Sequence, residues 1–107
     1  MKKYFERIYN KGIDSFYNEL KESLKSNKKG FIVTANPETF MYGEKDEVIN
    51  NIILDKKTIV VPDGIGIVKA SNMLGYNIKE RIPGIDIATK LLEYGNELNK
   101  TIYFLEL

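Results

Sequence analysis

The segment Thr58-Ile-Val-Val-Pro-Asp-Gly-Ile-Gly-Ile-Val68 decides the fold class of this chain. Its β-branched apolar run predicts a buried strand, which ends in Asp63. The turn Gly64-Ile-Gly66 then leads into an apolar helix. Because α/β proteins bind their ligands at the carboxyl ends of parallel strands, we expect Asp63 to lie at the mouth of a parallel sheet.

Strands and helices alternate on both sides of this segment. The patterns predict a strand over residues 4–9, a helix from the N-cap Asp14 to about Ser26 and a buried strand over residues 31–34. A helix then starts at Asn36-Pro37, is interrupted near Gly43 and resumes with the apolar stripe Val48, Ile49, Ile52 and Ile53. After the strand over residues 58–61, the patterns predict a helix over residues 65–74 closed by Gly75, a loop over residues 77–84, a helix over residues 85–98 and a last strand over residues 101–105.

This alternation predicts an α/β fold with a mostly parallel, Rossmann-like sheet and helices on both faces. The length of 107 residues favours one domain, residues 1–107. An apolar last strand with no following helix leaves a strand edge and an apolar face uncovered. We therefore expect an incomplete domain that forms homo-oligomers, although a small complete α/β domain is the alternative.

Composition excludes several classes of function. The net charge of +1 gives no reason to expect nucleic acid as a partner, and the trio Lys25, Lys28 and Lys29 is typical of a solvated helix end. Without Cys or His, the chain has no thiolate, and acid–base chemistry falls to Asp, Glu, Lys or Tyr. No apolar run is long enough to span a bilayer, and the N-terminus lacks a signal sequence, so we expect a cytoplasmic protein.

Asp63 has two interpretations. It can cap the helix that starts at Ile65, or it can act as a general base beside Gly64 and Gly66, which leave room for a substrate. Thr34 and Asn36, at the end of the preceding strand, can likewise cap a helix or bind the hydroxyl groups of a sugar or nucleoside on the same rim.

A dinucleotide site is disfavoured, because Lys69 stands where the third glycine of the fingerprint belongs and no acidic residue ends a strand about 20 positions later. Arg81 can be solvated or paired with Glu80. A rigid Pro83-Gly84 loop can instead hold its guanidinium against a phosphate. No Asp-x-Asp motif is present to bind a metal-chelated diphosphate, so we expect no cofactor.

Three segments, residues 31–38, 61–68 and 80–86, resemble the WecG/TagA/CpsF glycosyltransferases, and the resemblance covers nearly the whole chain. It implies transfer of N-acetylmannosamine or a related sugar from a UDP donor to undecaprenyl-diphosphate-linked N-acetylglucosamine, at the inner face of the cell membrane. Members of one branch of the family make the linkage unit of wall teichoic acid. The implied reaction inverts the sugar and needs no metal.

By motif position, the resemblance makes Asp63 the general base, places Thr34 and Asn36 in the pocket and puts Arg81 near the phosphates. Gly64 and Gly66 stay candidate substrate-binding residues because of their small size beside Asp63. Family members are considerably longer and have a C-terminal appendage that contacts membrane. We therefore expect a truncated form, with a non-catalytic remnant or assembly module as the alternative function.

Overall fold

The computed structural model describes residues 2–26 and 30–98. The chain forms, in order, the helices α1 (Lys2–Phe5) and α2 (Ile13–Lys25), strand β1 (Phe31–Ala35), helices α3 (Pro37–Lys45) and α4 (Glu47–Leu54), strand β2 (Thr58–Pro62), and helices α5 (Ile65–Met73) and α6 (Gly84–Leu98). The predicted last strand, residues 101–105, and the lysines at 28 and 29 lie outside the described residues.

β1 and β2 pair in parallel, with Phe31 opposite Thr58 and Ala35 opposite Pro62. The neighbours Val60 and Val61 of β2 are both fully buried, because successive residues of a strand point to opposite faces and each face is covered. The predicted α/β fold, with a small parallel sheet between helices, is therefore confirmed.

A hydrophobic core lies on each face of the sheet. The first core contains Tyr4, Phe5, Ile8, Ala35, Phe40, Ile53, Val60, Ile67 and Ile78. The second core contains Phe16, Leu20, Val61, Ile82 and Ile87. Helices α1, α3, α4 and α5 thus cover one face, whereas α2 and α6 pack on the other and on each other.

The predicted strand over residues 4–9 is wrong over its first half, where the structure has the short helix α1. The rings of Tyr4 and Phe5 lie 5.3 and 5.1 Å from the ring of Phe40, and this aromatic packing decides the local conformation. Only Ile8 forms a parallel bridge, with Val60. A run of six apolar and charged residues cannot by itself distinguish a helix that packs by its aromatic rings from a strand.

Two helix boundaries differ from the sequence-based expectation. α2 starts at Ile13 after the N-cap Gly12, so Asp14 lies within the first turn and is not the cap. The helix after Asn36 does not break at Gly43. It ends at Lys45, where Asp46 caps the next helix by accepting hydrogen bonds from two backbone N–H groups. Gly43 is needed for packing instead, because an added Cβ would lie 3.0 Å from the Tyr4 ring.

The strand predicted as buried over residues 31–34 forms as β1, but none of these four residues is buried, because β1 has only β2 as a strand neighbour in the described part of the chain. The remaining boundaries follow the prediction closely. Asn36 caps α3, and Gly75 ends α5 with a positive φ of 91°, which glycine adopts without strain. None of the helices in residues 2–26 and 30–98 has the length and apolar character required to cross a membrane.

Candidate functional site

The carboxyl ends of β1 and β2 meet at one edge of the sheet, as parallel pairing requires. The backbone N–H of Asp63 donates a 3.0 Å hydrogen bond to the carbonyl of Ala35, which extends the pairing by one residue beyond β2. The backbone of Asp63 is therefore fixed beside the end of β1, and its half-buried side chain emerges at the mouth of the sheet.

The third sequence motif lies against the same edge, although it belongs to no strand. The N–H of Ile82 donates a 2.6 Å hydrogen bond to the carbonyl of Pro62, the last residue of β2. The side chain of Ile82 is 1% exposed and belongs to the second core. This backbone bond and this burial bring the segment from Glu80 to Gly84 to the end of β2.

Asp63 makes its side-chain hydrogen bond with Gly84, the first residue of α6. Its Oδ1 accepts from the Gly84 N–H at 2.7 Å, so the carboxylate lies at the positive end of the α6 dipole. It does not cap α5, the capping role considered from the sequence, because the N-cap of α5 is Gly64 and no side-chain cap bond forms there.

Gly84 also brings Thr34 into the site. A Cβ atom placed on Gly84 would lie 3.1 Å from Thr34 Cγ2 and 3.6 Å from Asp63 Oδ1. The three motifs of the sequence therefore meet at one point, with Thr34 from β1, Asp63 from the end of β2 and Gly84 from the start of α6. The sequence assigns Gly84 no role of its own, since its signal there is a Pro-Gly pair directly before a helical pattern.

Gly64 and Gly66 border open space. A Cβ atom on either residue would meet no other atom within 4 Å, among the residues that the structure describes. Neither glycine is required by close packing inside the protein. The space in front of the first turn of α5 is therefore free for a ligand, next to Asp63.

Asn36 is only partly available to a ligand. Its Oδ1 accepts from the backbone N–H of Thr39 at 3.0 Å, while the Thr39 hydroxyl accepts from the Asn36 N–H, which completes a capping box. The capping role that the sequence suggested for Asn36 is thus confirmed. Thr34 is exposed on the same rim.

Arg81 is exposed and has no ion-pair or hydrogen-bond partner in the part of the chain that the structure describes. The pairing with Glu80 considered from the sequence is absent. Glu80 Oε1 instead accepts a 2.8 Å hydrogen bond from the backbone N–H of Ile13. The other arginine of the chain, Arg7, donates to three backbone carbonyls and is structural.

The tyrosines with altered acidity lie in the cores and not at the mouth of the sheet. Burial raises the pKa of Tyr4, Tyr9 and Tyr17, so these phenols stay protonated at neutral pH. Since the chain lacks His and Cys, a base at this edge must be a carboxylate, an amine or a phenol, and Asp63 is a carboxylate whose second oxygen accepts no hydrogen bond in the described residues. Residues 2–26 and 30–98 contain no cluster of three or more acidic side chains that could hold a metal ion.

Comparison with known proteins gives a family match over residues 6–106, to the family described as "Glycosyl transferase WecG/TagA/CpsF family". A curated relative from Bacillus spizizenii (strain ATCC 23059 / NRRL B-14472 / W23) is named N-acetylglucosaminyldiphosphoundecaprenol N-acetyl-beta-D-mannosaminyltransferase. It is 34% identical over 93 residues, which are 86% of this chain and 36% of the relative.

Relatives of the same name from Staphylococcus aureus strains NCTC 8325 / PS 47 and COL are 35% identical over 75 residues, which are 70% of this chain and 29% of each relative. The chain thus spans about a third of the length of these proteins. No solved structure matches. The match over nearly the full chain, and the meeting of its three motifs at one sheet edge, show that this chain belongs to the WecG/TagA/CpsF family of glycosyl transferases.

Proposed function

We propose that this chain carries the base-bearing part of a glycosyltransferase. The enzyme transfers N-acetylmannosamine, or a related sugar, from a UDP donor to N-acetylglucosamine linked to a polyprenyl diphosphate. The observation that carries the proposal is the position of Asp63, which Gly84 holds at the mouth of the sheet beside Thr34 and an open space. The names of the relatives support the acceptor and the transferred sugar.

Asp63 is the general base of the proposed reaction. The Gly84 N–H occupies Oδ1, so Oδ2 takes the proton from the acceptor hydroxyl. The hydroxyl oxygen then forms a bond to C1 of the donor sugar, while the bond from C1 to the diphosphate oxygen breaks and UDP leaves with the electron pair. A single displacement of this kind inverts the configuration at C1.

Arg81 neutralises the charge that develops on the departing diphosphate. An arginine binds phosphate oxygens through two parallel N–H donors, and this side chain is exposed with no protein partner in the described residues. Thr34 and the free amide nitrogen of Asn36 then bind sugar or nucleoside hydroxyls. Because the arginine and helix N-termini supply the positive charge, the proposed reaction needs no metal.

The test is UDP release from UDP-N-acetylmannosamine in the presence of a lipid-diphosphate acceptor. UDP release is measured for the 107-residue chain alone and for an active longer polypeptide or complex that contains it. Asp63→Asn lowers turnover by about 10² to 10⁴-fold, the usual contribution of a general base, and leaves donor binding nearly intact. Asp46→Asn is the matched control, because it removes a carboxylate from the start of α4, where its hydrogen bonds are to Val48 and Ile49 and not to the residues of the site.

Near-normal turnover of Asp63→Asn would reject Asp63 as the base. UDP-sugar binding without turnover in every context would favour the second function considered from the sequence, a non-catalytic assembly module that keeps the fold.

A further inference from the structure

Glu80 precedes Arg81 in the chain, but its carboxylate is bound to the start of α2. Its Oε1 accepts from the Ile13 N–H at 2.8 Å, across a separation of 67 residues. Helix α2 has no side-chain cap of its own, because Gly12 occupies the N-cap position. Glu80 therefore satisfies one of the N–H groups that the first turn of α2 leaves without an intrahelical partner, at the first residue of the helix.

The backbone at Gly12 is shaped for this contact. Its φ of 92° is a left-handed conformation that glycine adopts without strain. A Cβ atom on Gly12 would lie only 3.4 Å from Glu80 Oε1 and 3.8 Å from Lys79 Cδ. A carboxylate at this end of a helix is also favoured by the helix dipole.

The residue on the other side of Arg81 is fixed as well. Ile82 donates to the carbonyl of Pro62 at 2.6 Å, and its side chain is buried in the second core. Arg81 thus lies between two anchored residues, while its own side chain is exposed. The anchored residues Glu80 and Ile82 limit the positions that the guanidinium of Arg81 can reach. The carboxylate of Glu80 is bound at the start of α2 and does not pair with the arginine.

We propose that Glu80 is a positioning residue, which holds Arg81 at the mouth of the sheet for the diphosphate of a nucleoside diphosphate sugar. This inference rests on the phosphate-binding role of Arg81 in the proposed function. Glu80 acts in two ways. First, it restrains the backbone on the N-terminal side of Arg81, so the arginine loses less conformational entropy when it binds a phosphate. Second, its carboxylate is bound at the start of α2, so its negative charge does not neutralise the guanidinium.

The first experiment needs no ligand. Amide hydrogen exchange of Ile82 is measured by NMR in the 107-residue chain, relative to the amides of the β1–β2 ladder in the same variant. Glu80→Ala accelerates this relative exchange roughly tenfold, a change of the size expected for a lost cap. Glu80→Gln keeps an acceptor oxygen and retains most of the protection. Asp46→Ala, which removes the cap of α4, leaves the ratio unchanged.

The second experiment follows the arginine itself. The chain has two arginines, and Arg7 is bound to three carbonyls, so its Nε–H signal is an internal reference for that of Arg81. Titration with UDP shifts the Arg81 signal. Glu80→Ala raises the apparent Kd for UDP roughly tenfold, whereas Asp46→Ala leaves it within about twofold, since an exposed remote cap affects stability alone.

The two results separate the two ideas. Unchanged Ile82 exchange in Glu80→Ala would overturn the positioning role, whether or not UDP binds. Accelerated exchange together with an Arg81 signal that never responds to UDP would overturn the phosphate role of Arg81, and this inference with it. If Glu80→Ala and Asp46→Ala weaken the affinity for UDP equally, then Glu80 only stabilises the start of α2 and does not position Arg81.

Discussion

The carboxylate of Asp63 and the backbone N–H of Gly84 form a 2.7 Å hydrogen bond that joins the end of β2 to the first residue of α6. The bond fixes one carboxylate oxygen and leaves the other to a ligand. It also places a charge where the α6 dipole favours it. One interaction thus serves both the packing of α6 and the orientation of the proposed base.

The absent side chain of Gly84 leaves room for the methyl group of Thr34. We expect Gly84→Ala to lower the free energy of unfolding by about 1 kcal/mol, because the new methyl group is crowded by Thr34 Cγ2. Thr34→Ser removes that methyl group, so the double variant should recover part of the loss. Urea unfolding of the four proteins gives the coupling energy, and a value near zero would contradict the contact.

Gly66→Ala is the matched control for that series. In the part of the chain that the structure describes, no atom beyond its chain neighbours and its own helix backbone lies within 4 Å of its added Cβ, and Gly66 belongs to the first turn of α5. Alanine is favoured over glycine in a helix, so this variant is expected to gain up to about 1 kcal/mol.

The two arginines should respond to substitution in opposite ways. Arg81→Lys leaves stability within about 0.5 kcal/mol because the side chain is exposed, but it weakens use of the UDP donor, since lysine cannot make a bidentate phosphate contact. Arg7→Lys loses bonds to the carbonyls of Ile53, Asp55 and Thr58, and costs about 1–3 kcal/mol. Donor titration and urea unfolding of both variants check this contrast. If Arg81→Lys and Arg7→Lys weakened binding of the UDP donor equally, this prediction would be wrong.

Stability should fall in alkali because of Tyr9. Burial raises the pKa of its phenol well above the ordinary value near 10. The unfolded chain therefore loses this proton first, so the contribution of Tyr9 is intact below about pH 10 and is lost as the pH rises further. Tyr9→Phe should make the alkaline decline shallower, as measured by urea unfolding at pH 7 and near pH 11.

The same variant should change the free energy of unfolding little at pH 7. The Tyr9 hydroxyl is buried and makes no hydrogen bond of good geometry in the described residues, while the nearby Glu19 carboxylate adds to the rise of its pKa, so removing the hydroxyl gives up at most a weak contact. Tyr42→Phe is the control, because Tyr42 is 61% exposed. Identical alkaline slopes for Tyr9→Phe and the parent would show that another group causes the decline.

Self-association of the 107-residue chain stays a prediction. Within the described residues, β1 pairs with β2 alone, and Phe31 at its start is 59% exposed. We expect sedimentation velocity to show dimers or larger species whose fraction rises with concentration. Phe31→Lys should reduce them, because a charged residue discourages pairing at a strand edge. Leu92→Lys, at an equally exposed position on α6, should not. A monomer at all concentrations would contradict the prediction.

Local patterns in the sequence are sufficient for strands β1 and β2 and for most helices. The β-branched runs of β1 and β2, and the Asn36-Pro37 cap of α3, depend on neighbouring residues only, and all three were predicted. The convergence of Thr34 with Asp63 also followed from the sequence, because parallel strands bring their carboxyl ends together.

Contacts between distant segments could not be predicted in the same way. The partner of Asp63 lies 21 residues away, and that of Glu80 lies 67 residues away, so no periodicity encodes either hydrogen bond. The strand predicted for residues 4–9 was wrong for the same reason, since packing against Phe40 determines α1. Long-range packing overrides local preference in short segments.

The adjacent residues Val60 and Val61 belong to different cores, which has a consequence for engineering the chain. Stability changes usually add when the altered side chains are well separated and share no neighbours. Substitutions that improve packing around Val60 and those around Val61 can therefore be selected in separate libraries and then combined. Strand β2 lies between the two hydrophobic cores, so the packing of each core can be changed separately. Neither library needs to alter the end of the sheet where Asp63 lies.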